Sequence, residues 1–233
     1  MKFKVSPELF ERIPNVCFGV VVGYGIDNTQ SSIEISKMLK EEMKSIRERV
    51  AGQNLKEFKH IVPYREAFKE LGINPNKFTS SIEAMAKRVL NGNDLPSVNP
   101  VVDLVNALSL KYIFPMGAHD MDALEEEIAV RFAKSGDTFI PLGSEDIEEV
   151  DAGELVYADN KQIRTRRWVW RQSERGKITA DSKNIFFPID GFLSDNKENV
   201  MKAVDELAIL LEKLFGVKTQ CFFVDKDHNE IEF

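Results

Sequence analysis

The chain is short of the residues that usually declare a chemistry. It has two cysteines and three histidines in 233 residues. Cys17 and Cys221 sit in apolar, strand-like stretches at no zinc-binding spacing, so both are expected as small buried hydrophobes. His60, His119 and His228 stand far apart. No metal and no cofactor is expected from these residues. No Ser-His-Asp or Cys-His arrangement is recognisable. Gly23-Tyr24-Gly25 suggests a phosphate loop, but Asn28 occupies the place of the third glycine, and a flexible strand exit is the simpler reading. Positive charge is scarce: 31 Lys and Arg face 38 Asp and Glu, a net charge of −7. That balance argues against non-specific coating of nucleic acid or acidic membranes, while leaving room for one local basic face. No window is long and apolar enough to span a membrane, and the opening M-K-F-K-V-S-P-E lacks the apolar stretch of a signal peptide. A cytoplasmic location is expected.

What is present is an ordinary globular composition, 43% hydrophobic and 30% charged. Residues 1–5 alternate like a strand, and 16–23 form a continuous apolar run suited to a buried one. Ser31-Ser32-Ile33-Glu34 reads as a capping box opening a helix to about Val50. Helices are predicted over 63–71, from the Ser80/Glu83 capping box to Leu90, and from Asn99 to about Tyr112. Strands follow over 128–132, 138–140, 154–158, 163–172 and 184–189. An amphipathic helix over 197–215 closes at Gly216, and 219–224 with 229–233 form a predicted terminal hairpin. No repeat, linker or low-complexity segment interrupts the pattern. The reading is α/β, one domain over 1–233, with mixed sheets flanked by helices.

Two stretches carry candidate chemistry. The first is the run 99–120, N-P-V-V-D-L-V-N-A-L-S-L-K-Y-I-F-P-M-G-A-H-D. A helix that only buries a face does not require Asp103 and Asn106 on that face, three residues apart. Either they close loop ends, as buried polar groups must be paired, or Asn106 positions a ligand while Asp103 braces backbone. His119 either orders a hydrolytic water or acts as base, or is a turn residue ahead of a segment capped by Asp120. The second stretch, 161–177, is the one basic segment, K-Q-I-R-T-R-R-W-V-W-R-Q-S-E-R-G-K. Strand alternation would place Arg164, Arg166, Trp168 and Trp170 on one face, and Arg167 and Arg171 on the other. The arginines could take phosphates while a tryptophan stacks on a base. Equally, the tryptophans could fill the core while the arginines pair with acidic residues such as those of 145–151.

The run from Asn99 resembles the editing module of the phenylalanyl-tRNA synthetase beta subunit, the B-three/B-four tRNA-binding domain. There the segment reads N-x-V-V-D-x-T-N-Y-V-x-x-E-x-G-Q-P-x-H-A-F-D. Asn99, Val101, Val102, Asp103, Asn106, Pro115, Ala118 and Asp120 stand at matching places. Residues 130–139 are similar to the family's R-x-A-x-x-G-E-x-F, 141–143 to L-D-G, 155–159 (here L-V-Y-A-D) to L-V-I-A-D, and 178–186 to V-x-x-x-T-x-N-I-L. The resemblance covers roughly 95–192. The chain looks like a freestanding version of that domain, without the motifs of a complete tRNA ligase.

The resemblance implies an editing-domain-like fold and a pocket that hydrolyses tyrosine wrongly attached to tRNA. Such a pocket answers a physical need, because a synthetic site for an apolar ring rejects an added hydroxyl only weakly. The family uses an Asn, a His and a Glu. Asn106 matches the first. Gly117 stands at the His position, with His119 two residues on. Pro188 stands at the Glu position, with Asp190 two residues on. The implied partner is tRNA or an aminoacyl-tRNA acceptor end. Together, the resemblance and the residues themselves give as candidate sites Asn106 and His119 for catalysis, Gly117, Asp190, Trp168 and Trp170 for the substrate, and Arg164, Arg166, Arg167 and Arg171 for RNA. The expected function is RNA binding with possible trans-editing hydrolysis of a mischarged ester by activated water. The alternative is a non-catalytic module for RNA or a small amino acid-like ligand.

Overall fold

A computed structural model describes residues 1–30 and 32–233. Its centre is a pair of long strands, β2 (Val16–Gly23) and β10 (Ile185–Phe192), antiparallel and buried at every position. Both are rich in Val, Ile and Phe, and such an apolar run settles best as a strand covered on both faces. The outer strands of this sheet are β11 (Thr219–Val224), beside β2, and the short β3 (His119–Asp120), beside β10.

A second sheet runs in the order β12 (Glu230–Glu232), β1 (Lys2–Val5), β4 (Glu127–Phe132), β7 (Leu155–Ala158), β8 (Ile163–Arg166), β9 (Arg171–Gln172). All its pairs are antiparallel except β1 with β4. A small hairpin, β5 (Thr138–Phe139) with β6 (Glu148–Glu149), stands apart. The two main sheets face each other across aromatic contacts. Phe3 lies 5.0 Å from Phe186 and 5.9 Å from Phe18 between ring centroids, and 6.3 Å from Tyr157 of its own sheet.

The helices are α1 (Pro7–Arg12), α2 (Ile33–Val50), α3 (Val62–Glu70), α4 (Ser81–Leu90), α5 (Pro100–Tyr112) and α6 (Lys197–Phe215). Helix α6 covers the outer face of the β2–β10 pair. A Cβ at Gly19 would lie 2.5 Å from Val204, and one at Gly191 2.4 Å from Val200, so only glycine permits this approach. Helices α2, α4 and α5 enclose a second apolar cluster built on Leu39, Ile46, Ile82, Val89 and Leu110. Helix α3 joins it to α4 through a buried pair, Arg65 Nη1 to Glu83 Oε1 at 2.6 Å.

The helix α5 that anchors the site is held at its start by three asparagine and aspartate side chains. Asn99 accepts from the Val102 N–H and donates to the Ile178 carbonyl. Buried Asp103 accepts from the Val98 N–H and the Ser97 hydroxyl. Asn28 accepts from the Val101 N–H and donates to the Thr179 carbonyl. The residue that spoiled the glycine motif is thus a brace between chain segments.

Four expectations change. The predicted strand over 163–172 breaks after Arg166, because Arg167 and Trp168 adopt positive φ of 46° and 58°. The terminal hairpin does not form: β11 and β12 belong to different sheets, and the turn between them carries the chain from one to the other. Ser32, not a full box, caps α2 by accepting from the Ile35 N–H; Ser31 lies outside the described residues. Glu83 turns away from its capping box to Arg65, leaving Ser80 alone to accept from the Glu83 N–H.

Candidate functional site

The site is built on the ladder between β10 and the segment leading into β3. Phe186 pairs with His119, the Gly117 N–H donates to the Pro188 carbonyl at 2.9 Å, and the Asp190 N–H donates to the Pro115 carbonyl at 3.1 Å. Paired and alternate residues share a face. Pro115, Gly117 and His119 therefore line the same surface as Pro188 and Asp190. Glycine leaves this floor flat: a Cβ at 117 would lie 3.2 Å from the Pro188 ring and 3.6 Å from His119 Nε2.

The opposite wall comes from Tyr157 on β7 and the turn between β8 and β9. The left-handed backbone at Arg167 and Trp168 is costly for residues with side chains, and here it drives the Trp168 ring inward until it is fully buried. The turn is pinned by the Trp168 N–H to the Leu155 carbonyl at 2.6 Å and the Ser81 N–H to the Val169 carbonyl at 2.8 Å. Trp170 packs edge-on against Phe78 at 4.9 Å.

Asp190 sits at one end of this space, 2% exposed. Its Oδ1 accepts from Tyr157 Oη at 2.7 Å and from Trp168 Nε1 at 2.6 Å. Tyr64 on α3 donates to its backbone carbonyl at 2.8 Å. Its Oδ2 accepts nothing among the described residues. Burial pushes the carboxyl up to about 7, against the two donors, which pull it down.

His119 sits at the other end, 3% exposed. Burial, and then the positive charge of Arg164, push its imidazole down to about 3. Its Nδ1 has no partner among the described residues. The ring stacks on Tyr157 at 5.7 Å. Tyr157 therefore stands between the imidazole and the carboxylate, which form no direct hydrogen bond. Above pH 4 His119 is a neutral ring, suited to donate or accept one hydrogen bond and poorly suited to take a proton. The space between is a cavity of about 80 Å³, with Arg171 at its mouth.

The B3/4 domain family model matches residues 63–216, about two thirds of the chain. The chain belongs to the B3/4 domain family. The resembling residues 95–192 lie inside that match. Among relatives, the phenylalanine–tRNA ligase beta subunit of Idiomarina loihiensis is 37% identical over 106 residues, covering 46% of this chain and 13% of that protein. The same subunit of Fusobacterium nucleatum is 32% identical over 143 residues, covering 61% of this chain and 16% of that protein. The chain thus spans under a fifth of the length of these relatives. A solved N-terminal fragment of the phenylalanyl-tRNA synthetase beta subunit from Pyrococcus horikoshii has a TM-score of 0.47 at 14% identity, covering 93% of this chain and 49% of that one.

In this B3/4 domain the two positions that depart from the resembling domains, Gly117 and Pro188, touch each other on the pocket floor. His119 and Asp190 flank that pair, each displaced by one same-face step along its own strand. Because the strands are antiparallel, the two steps run in opposite directions and move the imidazole and carboxylate apart.

Asn106 lies elsewhere. It faces a neighbouring cavity of about 190 Å³ that shares Met116, Gly117 and Gln172 with the first and is edged by Val98, Leu142 and Lys177. The Asn106 side chain is half-buried and makes no hydrogen bond among the described residues. Asn106 and His119 are therefore in adjoining compartments, not one constellation.

The arginine expectation is largely corrected. Arg164 is 0% exposed and paired with Asp159, out of reach of any phosphate. Arg166 is held by Glu154 at 2.9 Å and Glu148 at 3.0 Å. Arg167 pairs with Glu154 at 3.1 Å and lies over the Phe78 ring at 3.8 Å. Arg171 alone of the four is exposed, near Trp170. Cys221 is exposed as well, whereas Cys17 is buried as expected. Among the described residues no three His, Cys, Asp or Glu side chains converge as metal ligands. Tyr157 and Tyr64 were missed as site residues. Tyr157 had a signal: it stands where L-V-I-A-D has isoleucine, and a hydroxyl in a buried strand needs a partner.

Proposed function

We propose that this B3/4 domain binds the aminoacyl end of a tRNA and hydrolyses the ester of a mischarged one. The observation that carries the reading is the paired compartments on either side of Met116-Gly117-Ala118. One holds Asp190 and His119, and the other holds the unpartnered Asn106. The Asp190 compartment suits an aminoacyl group and the Asn106 compartment a sugar or base. Hydrolysis here uses water: its oxygen adds to the ester carbonyl, the bond to the ribose oxygen breaks, and the proton passes to that oxygen. The cysteines offer no nucleophile, since burial pushes the Cys17 thiol up to about 12. Deacylation of a panel of mischarged tRNAs tests the reading. Turnover above the spontaneous rate, reduced at least tenfold in Asn106→Ala, is expected; no turnover with any member of the panel refutes hydrolysis.

One observation favours a second reading, a binder without catalysis. The family's His and Glu positions are Gly117 and Pro188, and the imidazole that remains is held near 3, far below a working base. Binding of the same tRNAs without turnover is the result this reading expects.

A further inference from the structure

We infer that the Asp190 compartment recognises a free α-ammonium group through Asp190, and so accepts aminoacyl groups whose amine is unblocked. The inference rests on the reading of this pocket as an aminoacyl-end site. Two features point to a cation. Asp190 Oδ1 is occupied by Tyr157 and Trp168, which fixes the carboxylate and leaves Oδ2 toward the cavity. Among the described residues no Lys, Arg or His pairs with Asp190, so an ionised carboxylate would sit buried without a counter-ion. A neutral hydroxyl would satisfy Oδ2 as a hydrogen-bond acceptor but would leave the charge uncompensated. At about 80 Å³ the cavity is smaller than the roughly 150 Å³ that accommodates a benzene ring, so the ammonium arrives with a short side chain.

The same geometry fixes the pH dependence. The titratable and charged groups around Asp190 are Tyr157 from β7, Tyr64 from α3, His119 from β3 and Arg171 from β9, with Cys17 of β2 on the opposite face of the sheet. Both tyrosine hydroxyls are pushed well above 10 by burial, Cys17 up to about 12 and His119 down to about 3. Asp190, at about 7, is left to titrate near neutrality. An ammonium ligand requires the ionised form, so affinity falls up to tenfold per pH unit below 7.

The test uses the alanyl amide of 3′-amino-3′-deoxyadenosine, its N-acetyl and lactyl counterparts, and alaninamide without the nucleoside. The only two tryptophans of the chain, Trp168 and Trp170, line the cavity and report binding by fluorescence, with calorimetry as a second measure. The free amine is expected to bind at least tenfold tighter than the acetylated and lactyl forms. Asp190→Asn, which keeps an oxygen for Tyr157 and Trp168, is expected to erase the difference. Equal affinity for the amine and acetylated forms overturns the inference while leaving acceptor-end binding standing. Asp190-dependent binding of alaninamide but not of the nucleoside conjugates upholds the inference and overturns the acceptor-end reading. Binding of neither overturns both.

Discussion

Asp190 and His119 are both sealed from solvent, and burial disfavours the charged form of each. Their effects on stability have opposite signs. The Asp190 carboxyl ionises above 3.8 in the unfolded chain and near 7 in the folded one. The folded state holds the extra proton across that window, so its contribution to stability is lost as pH rises from 3.8 to 7. The His119 imidazole takes a proton below 6.5 when unfolded and below about 3 when folded. There the unfolded state holds the extra proton, so stability is lost as pH falls from 6.5 to 3. The two slopes oppose each other across pH 4–6.5 and flatten the wild-type profile. Asp190→Asn removes one slope. At pH 8 it is expected to be more stable than wild type by roughly 2–4 kcal/mol, since each tenfold change in a proton's affinity is worth about 1.4 kcal/mol. His119→Phe removes the other, leaving stability that declines from pH 4 to 7. Urea unfolding at several pH values reads both. An Asp190→Asn variant destabilised at pH 8 as much as at pH 5 would show that the carboxylate serves folding, not a ligand.

Gly19 and Gly117, on either side of β10, serve different ends. At Gly19 a Cβ would meet Val204 at 2.5 Å and Val200 at 2.9 Å, within the packed interface of α6 and β2. Gly19→Ala is expected to destabilise by about 1–3 kcal/mol as the helix is forced outward. At Gly117 a Cβ meets the Pro188 ring at 3.2 Å, a contact a few tenths of an ångström of movement relieves. Gly117→Ala should fold with nearly unchanged urea midpoint but lose the tryptophan fluorescence response to the alanyl amide, since its methyl occupies the cavity floor. Equal stability loss in the two variants contradicts this division. The sequence shows neither role, because Gly19 reads as one position in an apolar run. What was legible was local: helix caps, the apolar β2 run and the paired spacing of Asp103 and Asn106. The break after Arg166 was not. It depends on the Trp168 ring finding Asp190 22 residues away, and that contact outweighs the alternation that favours a continuous strand. Likewise Asn106 and His119 share a short stretch of chain but are separated by the course of Met116-Gly117-Ala118.

Across the molecule, charge is arranged to be used internally. The net charge is −7, and three arginines of the basic segment are turned inward, Arg164, Arg166 and Arg167 being held by Asp159, Glu148 and Glu154. A protein that gripped a long stretch of RNA backbone would leave such a row of guanidiniums free. This arrangement suits contact with a chain end, where one or two phosphates are met and the pocket supplies the remaining affinity. The salt dependence of binding measures the difference, since each neutralised phosphate of a single strand adds about 0.7 to the slope of log K against log salt. For an aminoacylated tRNA the slope is expected to be shallower than about −2. Arg171→Glu, at the cavity mouth, should weaken binding several-fold with no loss of fold. Arg166→Gln should instead lower stability, by leaving Glu154 and Glu148 without their shared partner, while scarcely changing the slope. A slope steeper than about −4 would mean that an extended cationic surface away from this pocket carries the RNA, and that the paired compartments are not where the acceptor end is held.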